Sequence, residues 1–292
     1  MNPRSIYRTA AGQQAVEAEY RAFLDSWPVA KREHTIETSA GNTFVIESGP
    51  HDAPPLVLLH GSGLNSLTWM GDVSAWADAF RVLAVDVIGH PGFSAGTHLP
   101  YASDAYAQWL DDVLGGLGVQ RAAFVGLSLG GWLATDYAMR RPHRVERLVL
   151  LAPGGIGRAR LSNAQLLFTV LPLMLLGDWG KRRAMQRMLG PAPSADLKVD
   201  QEDLLRVTEF TTLISRHYRY RTDALPVFPD AALAQLDVPV LLIVGAQDPM
   251  LDAKETIDRL TTAAQHVAVH VLPDVGHQVI GQTARILEFL RS

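Results

Sequence analysis

Apolar and polar positions along this chain follow two rhythms, and their order predicts the architecture. Val16, Tyr20, Phe23, Leu24 and Trp27 recur at helical spacing before Pro28, so residues 13–28 read as an amphipathic helix. Over 34–47, Ile36 and Phe44-Val45-Ile46 flank a turn at Ser39-Ala40-Gly41-Asn42, the pattern of a β-hairpin. Short continuous apolar runs of buried-strand type follow at 54–59, 81–87, 122–125, 145–151, 238–245 and 266–272. Between them lie helical patterns: 69–79, a segment opened by Ser103 as N-cap, a segment through Trp132 and Tyr137 closed by Pro142, 253–264 and 283–291. Strands alternating with helices define the α/β class, with a mostly parallel sheet covered on both faces.

The rhythm stops at Ala152-Pro153-Gly154-Gly155 and resumes at Val238. The expected organisation is an N-terminal helical arm (1–33), a core built from 34–155 and 226–292, and a helical lid inserted at 156–225. The arm packs on the core or offers its apolar face to a partner; amphipathicity alone does not separate the two. The greasiest stretch, 166–176, is shorter than the ~20 residues a membrane-spanning helix needs. It reads as the interior of the lid, with Phe168 and Leu171 as candidate contacts for an apolar substrate group.

Composition narrows the functions further. The 292 residues are 48% hydrophobic and 19% charged, enough apolar content for a large core. A net charge of −4 supplies no basic field for nucleic acid. With no cysteine, a thiol nucleophile and thiolate metal sites are excluded. The first dozen residues lack an apolar run of signal-peptide length, so a cytoplasmic location is expected.

The candidate chemistry lies in loops after strands. Gly126-Leu127-Ser128-Leu129-Gly130 follows one apolar run and opens a helix, the context of a nucleophile elbow. A second match, Gly92-Phe93-Ser94-Ala95-Gly96, follows a loop and leads towards Pro100, so Ser94 reads as part of a surface loop. A serine hydroxyl needs a base, and the base needs a group to hold its tautomer. Behind such an elbow the order is serine, acid, histidine. Asp248 after the 240–244 run and His277 after the 266–272 run meet that order. Asp252 is the next candidate acid and Asp223 a distant one; His270, His266 and His217 rank below His277. An oxyanion needs backbone donors. Leu129 N–H is one candidate, and His60-Gly61-Ser62-Gly63 supplies the other, Ser62 first and Gly63 as the alternative. His60 is expected to brace that loop. Trp132 is either a pocket wall or a core aromatic. Arg216, Arg219 and Arg221 read as a solvated helix face or, less simply, as a carboxylate clamp. This chemistry calls for no metal and no organic cofactor.

Taken together, His60-Gly61-x-Gly63, Gly126-x-Ser128-x-Gly130, Asp248 and Gly276-His277 resemble the α/β-hydrolase superfamily. Asp86-Val87-Ile88-Gly89, Leu127–Gly131 and the Tyr106-x-x-Trp109-Leu110 helix are most similar to bacterial carboxylesterases of the naproxen-esterase type. The resemblance implies a serine hydrolase acting on a small-molecule ester or acyl substrate. A serine nucleophile argues against the haloalkane dehalogenases and epoxide hydrolases of the superfamily, which use aspartate. Lactonase, carbon–carbon hydrolase and cofactor-free perhydrolase chemistry stay open, as does a non-catalytic receptor; acyl length and oligomeric state are not set by these residues. One departure stands out: His90-Pro91 lengthens the loop after Asp86 by one residue relative to the Asp-x-x-Gly-x-Gly-x-Ser of many relatives.

Overall fold

The computed structural model describes residues 5–160 and 201–292, and between them positions 177, 179, 180, 183, 187 and 189–191. The described residues form an eight-stranded sheet in the order β1-β2-β4-β3-β5-β6-β7-β8. The strands are β1 (Lys31–Ile36), β2 (Thr43–Ser48), β3 (Pro55–Leu59), β4 (Arg81–Val85), β5 (Ala122–Leu127), β6 (Val145–Leu151), β7 (Val240–Gly245) and β8 (Val267–Leu272). The pairs β1–β2 and β2–β4 are antiparallel, and every later pair is parallel.

The parallel strands are continuous apolar runs because both faces are covered. In β3, Leu56 and Leu58 point to one face and Val57 and Leu59 to the other, all fully buried. One face packs against α3 (Ala105–Gly116), α4 (Leu129–Arg140) and α7 (Ala253–Ala263), through Trp109, Leu110, Tyr137 and Leu260. The other carries α1 (Ala10–Asp25), the short α2 (Val73–Ala77) and α8 (Thr283–Arg291), through Tyr20, Phe23, Trp76 and Ile286. Helix α5 (Gln201–His217) joins that face, with Phe210 against Phe23 at 5.3 Å between ring centroids. A further short helix is α6 (Asp230–Leu233). Among the described residues no helix is long and apolar enough to cross a membrane.

Four local expectations shift. The first helix starts and ends three residues earlier, because the Thr9 side chain caps it by accepting from Gly12 N–H and the helix closes before the residue constrained by Pro28. The hairpin begins at Lys31, not His34; β1 is an edge strand whose charged Lys31, Arg32 and Glu33 hide the apolar alternation. The expected helix at 69–79 is a 3₁₀ turn at Ser66–Trp69 and then α2, interrupted at Gly71-Asp72, where neither residue favours a helix interior. Helix α3 starts after Asp104, while the Ser103 hydroxyl accepts from Ala105 N–H and donates to the Pro100 carbonyl.

Candidate active site

The site forms where the parallel strands deliver their carboxyl ends. Strand β5 turns sharply into α4 at Ser128, whose φ of 52° and ψ of −108° are costly for a side-chain-bearing residue. The turn is held on both sides of the peptide chain. Ser128 N–H donates to Leu151 O at 2.9 Å, and its carbonyl accepts from Trp132 N–H and Gly154 N–H. Gly130 is required by close approach: a Cβ there would drive into the Leu59 carbonyl at the end of β3. This elbow leaves the Ser128 side chain half-buried at the head of α4.

Asp248 follows β7 and His277 follows β8, and both are buried. His277 Nε2 lies 3.0 Å from Ser128 Oγ, and His277 Nδ1 lies 2.7 Å from Asp248 Oδ2. The other carboxylate oxygen, Oδ1, accepts from Met250 N–H at 2.7 Å and Leu251 N–H at 3.0 Å. That saturates one oxygen and aims the second at the ring. An ionised carboxylate opposite Nδ1 favours the tautomer with the proton on Nδ1, which leaves Nε2 free to accept from the serine hydroxyl. The histidine loop is also gripped by its backbone: His277 N–H donates to Leu189 O and Gly276 N–H to Pro191 O.

The rival acids have other partners, and two of the rival histidines lie elsewhere. Asp252 caps α7 by accepting from Glu255 N–H and pairs with Arg160. Asp223 pairs with Arg221. His270 is a strand residue of β8, and the His217 ring lies against Gly12 at the start of α1.

The loop after β3 lies against the elbow: a Cβ at Gly61 would stand 3.6 Å from Ser128 Cβ. Leu64 N–H donates to Gly61 O, and Gly63 has φ +71°, the signature of position i+2 in a type II turn. Among the described residues, neither Ser62 N–H nor Leu129 N–H has an acceptor. Gly63 N–H does: it donates to His90 Nδ1 at 3.0 Å. The alternative donor is therefore engaged elsewhere, leaving Ser62 and Leu129. His60 braces the loop as expected. Its Nδ1 donates to Gly61 O and its Nε2 accepts from Val87 N–H; burial holds its pKa below the ordinary value, against the opposing pull of Asp86.

Two expectations are corrected, those for Ser94 and Arg221, and for Trp132 one of two open readings holds. Ser94 is not in a surface loop. It is buried, donates to the Asp86 carbonyl at 2.6 Å and accepts from Phe44 N–H at 2.8 Å. Trp132 sits in the core and not on a pocket wall: 1% exposed, stacked on Phe228, its indole N–H donating to Pro226 O. Arg221 lies beyond the end of α5 and is largely buried, its guanidinium over the Tyr101 ring and donating to Leu99 O. Phe168 and Leu171 lie outside the described residues. Among the described residues no group of three or more His, Cys, Asp or Glu side chains is arranged to hold a metal ion.

Sequence reasoning missed a second polar centre. The Asp86 carboxylate is buried after β4 and accepts from Tyr20 O–H, Ser66 N–H, Ser66 O–H and Phe93 N–H. Tyr218 O–H donates to Gly89 O beside it, and Tyr220 covers Gly63. The sequence marks this region through Asp86-Val87-Ile88-Gly89, the second Gly-x-Ser-x-Gly and the extra residue at His90-Pro91, none of which points to a buried carboxylate.

Residues 56–287 match the family described as the alpha/beta hydrolase family, and the chain belongs to it. Within that family it is 31% identical over 266 residues to an uncharacterized carboxylesterase, nap, of Bacillus subtilis (strain 168), covering 88% of this chain and 84% of the relative. Among solved structures, naproxen esterase (carboxylesterase NP) from Bacillus subtilis aligns with TM-score 0.80 and 28% identity, covering 97% of this chain and 99% of that one. Carboxylesterase CesB (YbfK) from the same organism aligns with TM-score 0.78 and 28% identity, covering 96% and 99%. The expected likeness to bacterial carboxylesterases of the naproxen-esterase type is borne out.

Proposed function

We propose that the protein is a serine carboxylesterase that cleaves small-molecule esters through an acyl-enzyme. The observation that carries this reading is the chain of hydrogen bonds from Ser128 Oγ to His277 at 3.0 Å and from His277 to Asp248 at 2.7 Å. The carboxylesterase relatives supply the ester as substrate class.

In this mechanism His277 Nε2 takes the Ser128 proton as Oγ adds to the ester carbonyl. Asp248 holds the ring and stabilises the imidazolium. The carbonyl oxygen becomes an oxyanion and receives the N–H groups of Ser62 and Leu129, the latter at the positive end of α4. His277 gives its proton to the leaving alkoxide, which departs as alcohol. Water then enters; His277 removes its proton, the oxygen attacks the acyl carbon, and the acid leaves as Ser128 regains its hydrogen. We place the enzyme in the cytoplasm; the lid expected at 156–225 lies in large part outside the described residues.

The test is turnover of a short p-nitrophenyl ester together with labelling by a fluorophosphonate. Wild-type enzyme is expected to hydrolyse the ester and to carry the label on Ser128, and Ser128→Ala to do neither. Labelling at another serine, with turnover surviving in Ser128→Ala, overturns the reading.

A further inference from the structure

The loop that offers Ser62 N–H has two successive peptide planes to hold still. His60 fixes the first, because its Nδ1–H donates to Gly61 O. The second plane, between Ser62 and Gly63, is fixed among the described residues only through its N–H, which donates to His90 Nδ1 at 3.0 Å. This second hold matters because turns of this kind have a near alternative. Rotating the central peptide converts a type II turn into a type I turn, removing the positive φ at Gly63 and swapping the directions of the Ser62 carbonyl and the Gly63 N–H. An acceptor placed on the Gly63 N–H favours one of the two.

His90 is built to be that acceptor. Its ring is buried and meets the His60 ring edge-on at 5.8 Å. Its turn is anchored at Gly89, whose N–H donates to Ala95 O and whose carbonyl accepts from Tyr218 O–H and faces His98 Nε2. Tyr220 closes over Gly63 from outside; a Cβ at Gly63 would lie 2.5 Å from its ring. We propose that His90, as a neutral ring accepting at Nδ1, is a positioning residue that locks the Ser62–Gly63 peptide and so anchors the turn from which Ser62 N–H, oriented by the neighbouring plane that His60 holds, is offered to the oxyanion. The proposal rests on the esterase reading for its substrate but concerns a residue outside the Ser128, His277 and Asp248 set.

Four measurements test it: kcat and KM on a short p-nitrophenyl ester, inhibition by a trifluoromethyl ketone, thermal stability, and the ¹⁵N shifts of the His90 ring. The ketone accepts Ser128 Oγ at its carbonyl carbon and places an oxyanion in the hole. In H90L the expected result is a kcat lowered about 10- to 100-fold, below the 10²–10³ of deleting a donor outright. KM is expected to stay within about twofold, and ketone affinity to fall in step with kcat. H90N keeps an acceptor near the Nδ1 position and is expected to recover most of kcat. H90F replaces H90L should the smaller side chain prevent folding. In the wild type the ring is expected to be neutral at pH 7 with Nδ1 unprotonated. A kcat in the acceptor-free variant within about threefold of wild type overturns the proposal, as does equal impairment of H90N and H90L or a change confined to KM. A proton on Nδ1 overturns it without any variant. Absence of ester turnover in wild-type enzyme sinks the esterase reading instead, and the ring shifts still decide the state of His90.

Discussion

Residues 92–96 and 126–130 spell the same five-residue pattern, Gly-x-Ser-x-Gly, yet the two serines have opposite fates. Each lies near an aspartate and a histidine-bearing loop. Around Ser94 every partner is spent inward: the hydroxyl bridges Phe44 N–H and the Asp86 carbonyl, and the Asp86 carboxylate is filled by donors from Tyr20, Ser66 and Phe93. Around Ser128 the donors stop short of saturation. The hydroxyl has one histidine, and the neighbouring Leu129 and Ser62 N–H groups have no acceptor among the described residues. A polar group with all its bonds made stabilises a fold, whereas one with bonds left to make can act on a substrate. The difference comes from what precedes each serine. A strand end feeding a helix lifts Ser128 out at φ 52°, and a loop folded over a buried carboxylate draws Ser94 in.

The sharpest way to break this contrast is to delete each hydroxyl. Ser128→Ala is expected to lower ester turnover by about 10⁴-fold or more with the melting temperature unchanged. If instead stability falls and activity persists, the two serines have been assigned the wrong way round. Asp248→Asn comes next, with a loss on the order of 10³–10⁴ in kcat from the wrong histidine tautomer, read in steady-state kinetics at fixed fold by circular dichroism. Ser94→Ala should do the reverse of Ser128→Ala. It strands Phe44 N–H in the core and costs about 1–3 kcal/mol in urea unfolding, while fluorophosphonate still labels Ser128.

The smallest effect is in pH. Burial pushes the pKa values of His60 and His90 down, and for His90 the neighbouring His60, His98 and Arg221 add to it. The unfolded chain therefore binds protons that the folded chain refuses once pH drops below the ordinary histidine value of about 6.5. Stability from these rings is fully present above that pH and is lost as pH falls below it. Urea midpoints measured at pH 7.5 and 5.5 should differ in that direction, and the difference should shrink in H90N. A midpoint higher at pH 5.5 would remove the closed polar centre from the comparison.

The working site was far more legible in the sequence than the closed one. Ser128, Asp248 and His277 each follow an apolar run that ends at the same edge of the sheet, so linear order alone predicted loops that the structure brings within hydrogen-bonding distance. Asp86 gathers its donors from positions 20, 66 and 93, and Ser94 pairs with Phe44 fifty residues away. No periodicity links such residues. Tyr20 reaches Asp86 because α1 lies across the end of β4, a placement that amphipathic spacing does not determine. The same holds for Arg221: its charge suggested solvent, but Tyr101 and Leu99 cover it from a distant loop. Elements were read well where both faces are buried and poorly at the sheet margin, where the charges of β1 obscured its start.

Gly130 carries one more implication. With no side chain between them, the first turn of α4 rests directly on the Leu59 carbonyl, at the point where β3 passes into the loop that bears Ser62. The nucleophile and the farther oxyanion donor are thus mounted on two backbones in contact, with no rotatable group interposed. Their separation does not accumulate the play of intervening side chains. Motion of elements outside these two backbones need not change the spacing on which the chemistry depends.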